Sequence, residues 1–121
     1  MNILVIDDEG IVRDSCRKIL ESEGFVVSVI PSVDEALGII EAQTGPLPLL
    51  LIDVKMPVHD GMYLMQKINE KGLDLKIIVM SGYPTEETIK QAELLGAATF
   101  IAKPFTPEEL LRTVLSVARK E

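Results

Sequence analysis

Hydrophobic residues along this chain follow two alternating patterns. Short continuous apolar runs lie within Asn2 to Ile6, Phe25 to Ile30, Leu49 to Ile52, Ile77 to Met80 and Ala97 to Ala102. Bounded by acids, prolines or glycines, such runs read as strands buried on both faces. Between them, apolar residues recur at three- and four-residue spacing. Val12, Cys16, Ile19 and Leu20 form one stripe, and Val33, Ala36, Leu37 and Ile40 a second. Leu64, Met65 and Ile68 form a third, and Leu110, Val114 and Val117 line the last. That spacing predicts amphipathic helices. A further helix is predicted from Pro84-Thr85 to Leu95-Gly96.

The punctuation agrees with the stripes. Gly24 stops the first helix, and Pro31 closes the second strand. Ser32 with Glu35 has capping-box spacing, and Thr44-Gly45-Pro46 reads as a loop. Asp60-Gly61 opens the third helix and Lys71-Gly72 ends it. Thr106, Pro107 and Glu109 supply an N-cap, a proline at the first helical position and the second half of a capping box. Strands alternating with helices through short loops imply a parallel sheet covered by helices on both faces. With no linker or solenoid repeat, the expectation is one α/β domain over residues 1–121.

Composition narrows the function classes. The chain has 121 residues, 47% of them hydrophobic, enough for a core and too apolar for a disordered chain. No apolar run approaches the roughly 20 residues that span a bilayer. Met1-Asn2 leads straight into a strand, with no signal peptide in view, so a cytoplasmic protein without membrane association is expected. The net charge of −7, from 12 basic and 19 acidic residues, excludes a domain that grips nucleic acid by itself. A single cysteine, Cys16, rules out an intramolecular disulfide, and its apolar helix face predicts a buried thiol.

Candidate chemistry lies just past the strands. The first strand delivers Asp7 and Asp8, the third Asp53, the fourth Ser81 and the fifth Lys103. In a parallel sheet these ends share one edge, so the side chains converge. The second strand ends in Pro31-Ser32 and is expected to lie off the site. Three crowded carboxylates raise one another's pKa unless a cation balances them. Mg²⁺ suits such a site: it is hard, prefers oxygen and keeps positions open for phosphate oxygens, with Mn²⁺ as a substitute. Lys103 adds positive charge and Ser81 a hydroxyl donor, which together suit a transferring phosphoryl group. Asp53, alone on the central strand, is the candidate nucleophile for an aspartyl phosphate.

The residues that now stand out are Ile3-Leu4-Val5-Ile6-Asp7-Asp8-Glu9, Asp53-Val54-Lys55-Met56-Pro57 with Asp60-Gly61, Ser81-Gly82, and Lys103-Pro104-Phe105. Four motifs in this order resemble the receiver domain of bacterial two-component response regulators over essentially the whole chain. The resemblance implies a flavodoxin-like (βα)5 fold with strand order 2-1-3-4-5. It implies that Asp53 accepts phosphate from a sensor histidine kinase or phosphotransfer protein. It assigns Mg²⁺ to Asp8, Asp53 and the backbone carbonyl of Lys55, with Asp7 acting through water. Lys103 would bind one phosphoryl oxygen and Ser81 another. Phe100 matches an aromatic switch position that turns inward when Ser81 moves. The Lys103–Pro104 peptide bond would be cis. The face of fourth helix, fifth strand and fifth helix would engage an output domain or partner protein. Phosphorylation adds about −1.5 to −2 charge at one spot and would bias that face. Lys55 and Tyr83 occupy positions that influence phosphate lifetime in the family, and here are expected to hinder the attacking water.

Some positions depart from the family. Ala98 and Thr99 stand where regulators with winged-helix outputs usually carry aspartates that pair across a dimer, so that dimer is not expected. A monomer or a phosphorylation-dependent dimer remains. His59 replaces a commonly apolar residue and reads as a solvated loop histidine, not as a ligand or phospho-acceptor. The chain ends at Ala118-Arg119-Lys120-Glu121, soon after the last helix, which leaves both a stand-alone receiver and one joined to an output domain open. A phosphatase of the haloacid dehalogenase type would need a second aspartate at the position of Lys55. A flavodoxin-like carrier would need a phosphate loop where this chain has Asp7-Asp8-Glu9. A receiver that signals without phosphorylation is a third alternative, against which the intact acidic, serine and lysine set argues.

Overall fold

The computed structural model describes residues 1–119; Lys120 and Glu121, and with them the chain's terminus, lie outside the described residues. The strands are β1 (Asn2–Ile6), β2 (Val26–Ile30), β3 (Leu49–Asp53), β4 (Ile77–Ser81) and β5 (Thr99–Ala102). They alternate with α1 (Gly10–Glu21), α2 (Val33–Ala42), α3 (Gly61–Glu70), α4 (Glu86–Leu94) and α5 (Pro107–Ala118). All strand pairs are parallel, in the order β2-β1-β3-β4-β5. This is the flavodoxin-like (βα)5 sheet expected from the sequence. Among the described residues, no helix is long and apolar enough to cross a membrane.

Successive residues of a strand face opposite sides of the sheet, so each apolar run feeds two cores. Leu4, Ile6, Leu50, Ile52, Ile77 and Val79 pack toward α2, α3 and Ala92 of α4. Ile3, Val5, Leu49, Leu51, Ile78 and Met80 pack toward α1 and α5. β3 is buried along its entire length, which explains its unbroken leucines. Cys16 is buried on the α1 side, as its helix stripe predicts. Burial, and then the charge of Asp7, pushes its thiol up to about 12, so it stays protonated at neutral pH.

The caps follow the sequence, except that the Ser32–Glu35 box on α2 shows only its Ser32 half. Ser32 and Asp60 each accept a backbone N–H three residues on, from Glu35 and Tyr63. Thr106 and Glu109 form the complete reciprocal box on α5. Three boundaries differ from the sequence pattern. Phe25 N–H donates to Leu20 O, closing the end of α1 instead of opening β2. Ala97 N–H donates to Ala92 O in the same way, and β5 begins at Thr99. α4 begins after Thr85, which is its N-cap, and ends at Leu94. Apolar residues at these helix exits extended the apparent strands.

The β3–α3 loop holds one strained residue. Val58 has φ of +68° and is 91% exposed. A left-handed conformation costs an L-residue about 1–2 kcal/mol, and a β-branched one more. Val58→Gly removes that cost and loses no burial, against about 0.5–1 kcal/mol of added chain freedom. The expected net effect is a gain of about 1 kcal/mol, read as a rise in Tm of a few degrees. A lower Tm would mean that the loop is not strained at this position.

Candidate functional site

The carboxyl edge of the sheet gathers the predicted residues. Asp7 follows β1, where its N–H donates to Ile30 O across the strand pair. Asp53 is the last residue of β3, and Ser81 the last of β4. Lys103 follows β5, and its N–H donates to Ser81 O at 2.8 Å, tying the two strand ends together. The Lys103–Pro104 peptide bond is cis, as expected. β2 is an edge strand separated from β3 by β1, so its end stands clear of the site.

Lys103 is the hub. Its Nζ donates to Asp7 Oδ2 at 2.6 Å and to Asp53 Oδ2 at 3.0 Å, and lies 3.6 Å from Glu9 Oε1. The lysine side chain is 15% exposed and that of Asp7 is fully buried, so these contacts are screened little by water. Burial pulls the Lys103 pKa down, but hydrogen bonds to Asp7 and Asp53, with their charges, leave it above the ordinary lysine value. Burial pushes the Asp53 carboxyl above the ordinary aspartate range, and the Asp7 charge adds to this. Lys103 and the Lys55 N–H act in the other direction.

Backbone donors fix the carboxylates from behind. Glu9 N–H donates to Asp7 Oδ1 at 2.9 Å, and Lys55 N–H to Asp53 Oδ1 at 3.1 Å. Ser81 Oγ accepts from Tyr83 N–H at 3.1 Å, which leaves the hydroxyl hydrogen free to donate. Arg13, on the first turn of α1, donates from its guanidinium to the Asp7 carbonyl at 2.8 Å. No sequence pattern assigns a role to Arg13 or to the Glu9 carboxylate; the only signal is their place within six residues of Asp7.

One carboxylate oxygen each from Asp7, Asp8 and Asp53 lies within 4.8 Å of the others. Three carboxylates and one lysine leave a local charge of about −2, which a single hard divalent cation would balance. The all-oxygen donor set fits Mg²⁺ or Mn²⁺ and not a metal that prefers thiolate. Asp8 is exposed, so the cluster opens to solvent. Tyr83 stands at the rim, 76% exposed, with Lys55 Nζ 5.5 Å from its ring centroid. Phe100 lies away from this cluster, 37% exposed beside Ile89, Ala92, Ala97 and Ala98 in a groove between α4 and β5.

Two features therefore define the class: a doubly wound parallel sheet in order 2-1-3-4-5, and an acidic pocket with a bridging lysine at its carboxyl edge. The family model of the response regulator receiver domain matches residues 3–115. The chain is 41% identical over 117 residues to an uncharacterised 14.6 kDa protein of Leptolyngbya boryana, covering 94% of this chain and 87% of that one. It is 34% identical to the chemotaxis protein CheY of Treponema pallidum, over 97% of this chain and 82% of CheY. With the response regulator SaeR of Staphylococcus epidermidis it shares 32% identity over 98% of its own length and 51% of SaeR, so it spans about half of that regulator. A CheY-like receiver domain protein from Methanospirillum hungatei superposes with a TM-score of 0.86 at 32% identity, over 95% of this chain and 90% of that one. The chain belongs to the response regulator receiver family, the regulatory domains of two-component signalling.

Proposed function

We propose that residues 1–121 form a phosphorylation-switched receiver in which Asp53 takes a phosphoryl group from a phosphohistidine of a sensor kinase or phosphotransfer protein. The observation that carries this reading is the Lys103 ammonium bridging Asp7 and Asp53 beside Ser81. An Asp53 carboxylate oxygen attacks phosphorus, the P–O bond forms, the P–N bond breaks and the imidazole leaves with its electron pair. Lys103 then exchanges part of its contact with Asp53 for a phosphoryl oxygen. Ser81 donates its hydroxyl hydrogen to another. Asp8, Asp53 and the Lys55 carbonyl would hold Mg²⁺, with Asp7 acting through water; the ion supplies neutralisation of charge on the phosphoryl oxygens. The domain catalyses only its own phosphorylation and its reversal.

The added charge draws Ser81 and Lys103 toward Asp53, and Phe100 turns inward into the room that Ser81 vacates. The face of α4, β5 and α5 then presents a different surface to an output domain or partner protein. The protein works as a monomer or as a phosphorylation-dependent dimer, in the cytoplasm, without contacting nucleic acid or membrane through this domain.

Intact mass after incubation with Mg²⁺ and a small phosphodonor tests the reading. The parent is expected to gain one phosphoryl group and Asp53→Asn none. A gain in both proteins would place the acceptor elsewhere. No gain in a folded parent that binds Mg²⁺ would favour an interaction module that works without phosphorylation. A second expectation concerns lifetime. Lys55 and Tyr83 pack against each other at the rim of the pocket, where they obstruct an attacking water. Lys55→Ala with Tyr83→Ala should shorten the phosphoryl half-life about 3- to 10-fold. An unchanged half-life would remove both residues from that role.

A further inference from the structure

The loop from β3 to α3 is held at its start and finish by backbone. Val54 N–H donates to Met80 O at 3.0 Å, and Gly61 N–H to Val54 O at 3.1 Å. Its tip is held by a side chain. His59 Nδ1 lies 2.9 Å from Asp34 Oδ1, on the first turn of α2 and 25 positions away in sequence. The imidazole also lies flat on the Tyr63 ring of α3, with centroids 3.9 Å apart and planes 7° from parallel. Lys67 Nζ sits 5.4 Å from the centroid of the same tyrosine. The neighbouring Val58 is 91% exposed and offers the tip no comparable anchor. The expected solvated loop histidine is found, with the His59 and Asp34 side chains 38% and 60% exposed, and it also ties the loop to two helices.

We infer that His59 is a positioning residue for the cation pocket, acting through the loop that carries Lys55. The inference rests on the proposed reading that Asp8, Asp53 and the Lys55 carbonyl hold Mg²⁺. That ion accepts little departure from octahedral geometry, so its affinity falls when a ligand's backbone is free to wander. The Asp34–His59–Tyr63 contact limits the loop before the ion arrives, and such preorganisation appears directly as affinity. Without the clamp the binding-competent loop is only fractionally populated, and the apparent Kd rises by the inverse of that fraction. Neither His59 nor Asp34 belongs to the pocket, so the effect is indirect and separable from loss of a ligand.

Calorimetric titration with Mg²⁺ alone tests this on four proteins: the parent, His59→Phe, Asp34→Ala and their double variant. His59→Phe keeps an aromatic ring on Tyr63 but loses the bond to Asp34. Asp34→Ala removes the same bond from the α2 side. Each single variant is expected to raise the Mg²⁺ Kd about 5-fold, equivalent to about 1 kcal/mol. The double variant should be no weaker than either, because one contact is lost in all three. A lowered Tm with unchanged Kd would reduce His59 to a structural contact and overturn the proposal. Additive losses would overturn it as well. A parent that does not bind Mg²⁺, or one matched in affinity by Asp53→Asn, would overturn the metal reading itself and this proposal with it.

Discussion

Lys103→Met is expected to lower the stability of the cation-free protein at pH 7 by about 3 kcal/mol. The substitution keeps a long apolar stem and removes one charge. It leaves the buried Asp7 carboxylate and the nearly buried Asp53 carboxylate facing each other without the ammonium that now bridges them at 2.6 and 3.0 Å. Stranding buried charges costs more than an intact pair contributes, because the desolvation is already incurred. For a chain of this size the loss should appear as a fall in Tm of about 10 °C. Asp53→Asn added to Lys103→Met should recover much of it, since it removes one of the two stranded carboxylates.

The pH dependence has a defined sign. The folded Asp53 carboxyl lies above its ordinary range, so the folded state binds more protons than the unfolded one there. Stability attributable to Asp53 therefore falls as pH rises from the ordinary aspartate pKa of about 3.9 through the raised folded value. Lys103 opposes that rise, so Lys103→Met should sharpen it: the deficit of the variant narrows as Asp53 protonates in acid and widens toward neutrality. The folded Lys103 pKa is raised too, and its stabilisation is fully present below about pH 10.4 and lost as pH climbs through the folded value. The parent should show that alkaline limb and the variant should lack it. Urea titrations of both proteins from pH 3 to 11, without divalent cations, would read these curves; a constant difference across the range would show that Lys103 does not bridge these carboxylates in solution.

The site was legible because a parallel α/β sheet converts sequence order into spatial order. Each apolar run ends at the same edge, so Asp7, Asp53, Ser81 and Lys103 could be placed together before any distance was known. Burial of strands on both faces made the runs unbroken and easy to find. What escaped were contacts made by side chains with no periodic signature. The Arg13 guanidinium on the Asp7 carbonyl, and His59 on Asp34, join residues whose spacing has no helix or strand period. Phe25 and Ala97 were absorbed into strands for a related reason: an apolar residue that closes a helix exit resembles the start of the next run. Burial patterns reveal where a residue lies, whereas a hydrogen bond between surface elements depends on loop conformation.

Gly61→Ala should be the most damaging of the small substitutions outside the charged cluster. Gly61 is the first residue of α3 and is buried. A Cβ built there would lie 2.5 Å from the Asp53 carbonyl oxygen and 3.2 Å from Val54 Cα. Both are backbone atoms of the strand end, so neither can swing aside as a side chain would. Helix propensity alone would favour alanine by about 1 kcal/mol. The clash wins, because α3 must move off the end of β3 and give up the Gly61 N–H bond to Val54 O. The expected net cost is about 2–3 kcal/mol, typical of forced overpacking in a tight core. Gly38 supplies the contrast within the same molecule. It lies exposed in α2 with nothing within 4 Å of a built Cβ, so Gly38→Ala should stabilise by about 1 kcal/mol. Opposite signs for one chemical change would show that close approach to Asp53, not backbone freedom, requires glycine at position 61. The displaced carbonyl belongs to the proposed phospho-acceptor, so Gly61→Ala should also slow phosphoryl gain from a small donor, which Gly38→Ala should leave at the parent rate. Equal stabilities for Gly61→Ala and the parent would mean that α3 can slide along the strand end at no cost, and that the acceptor's position is not set by this contact.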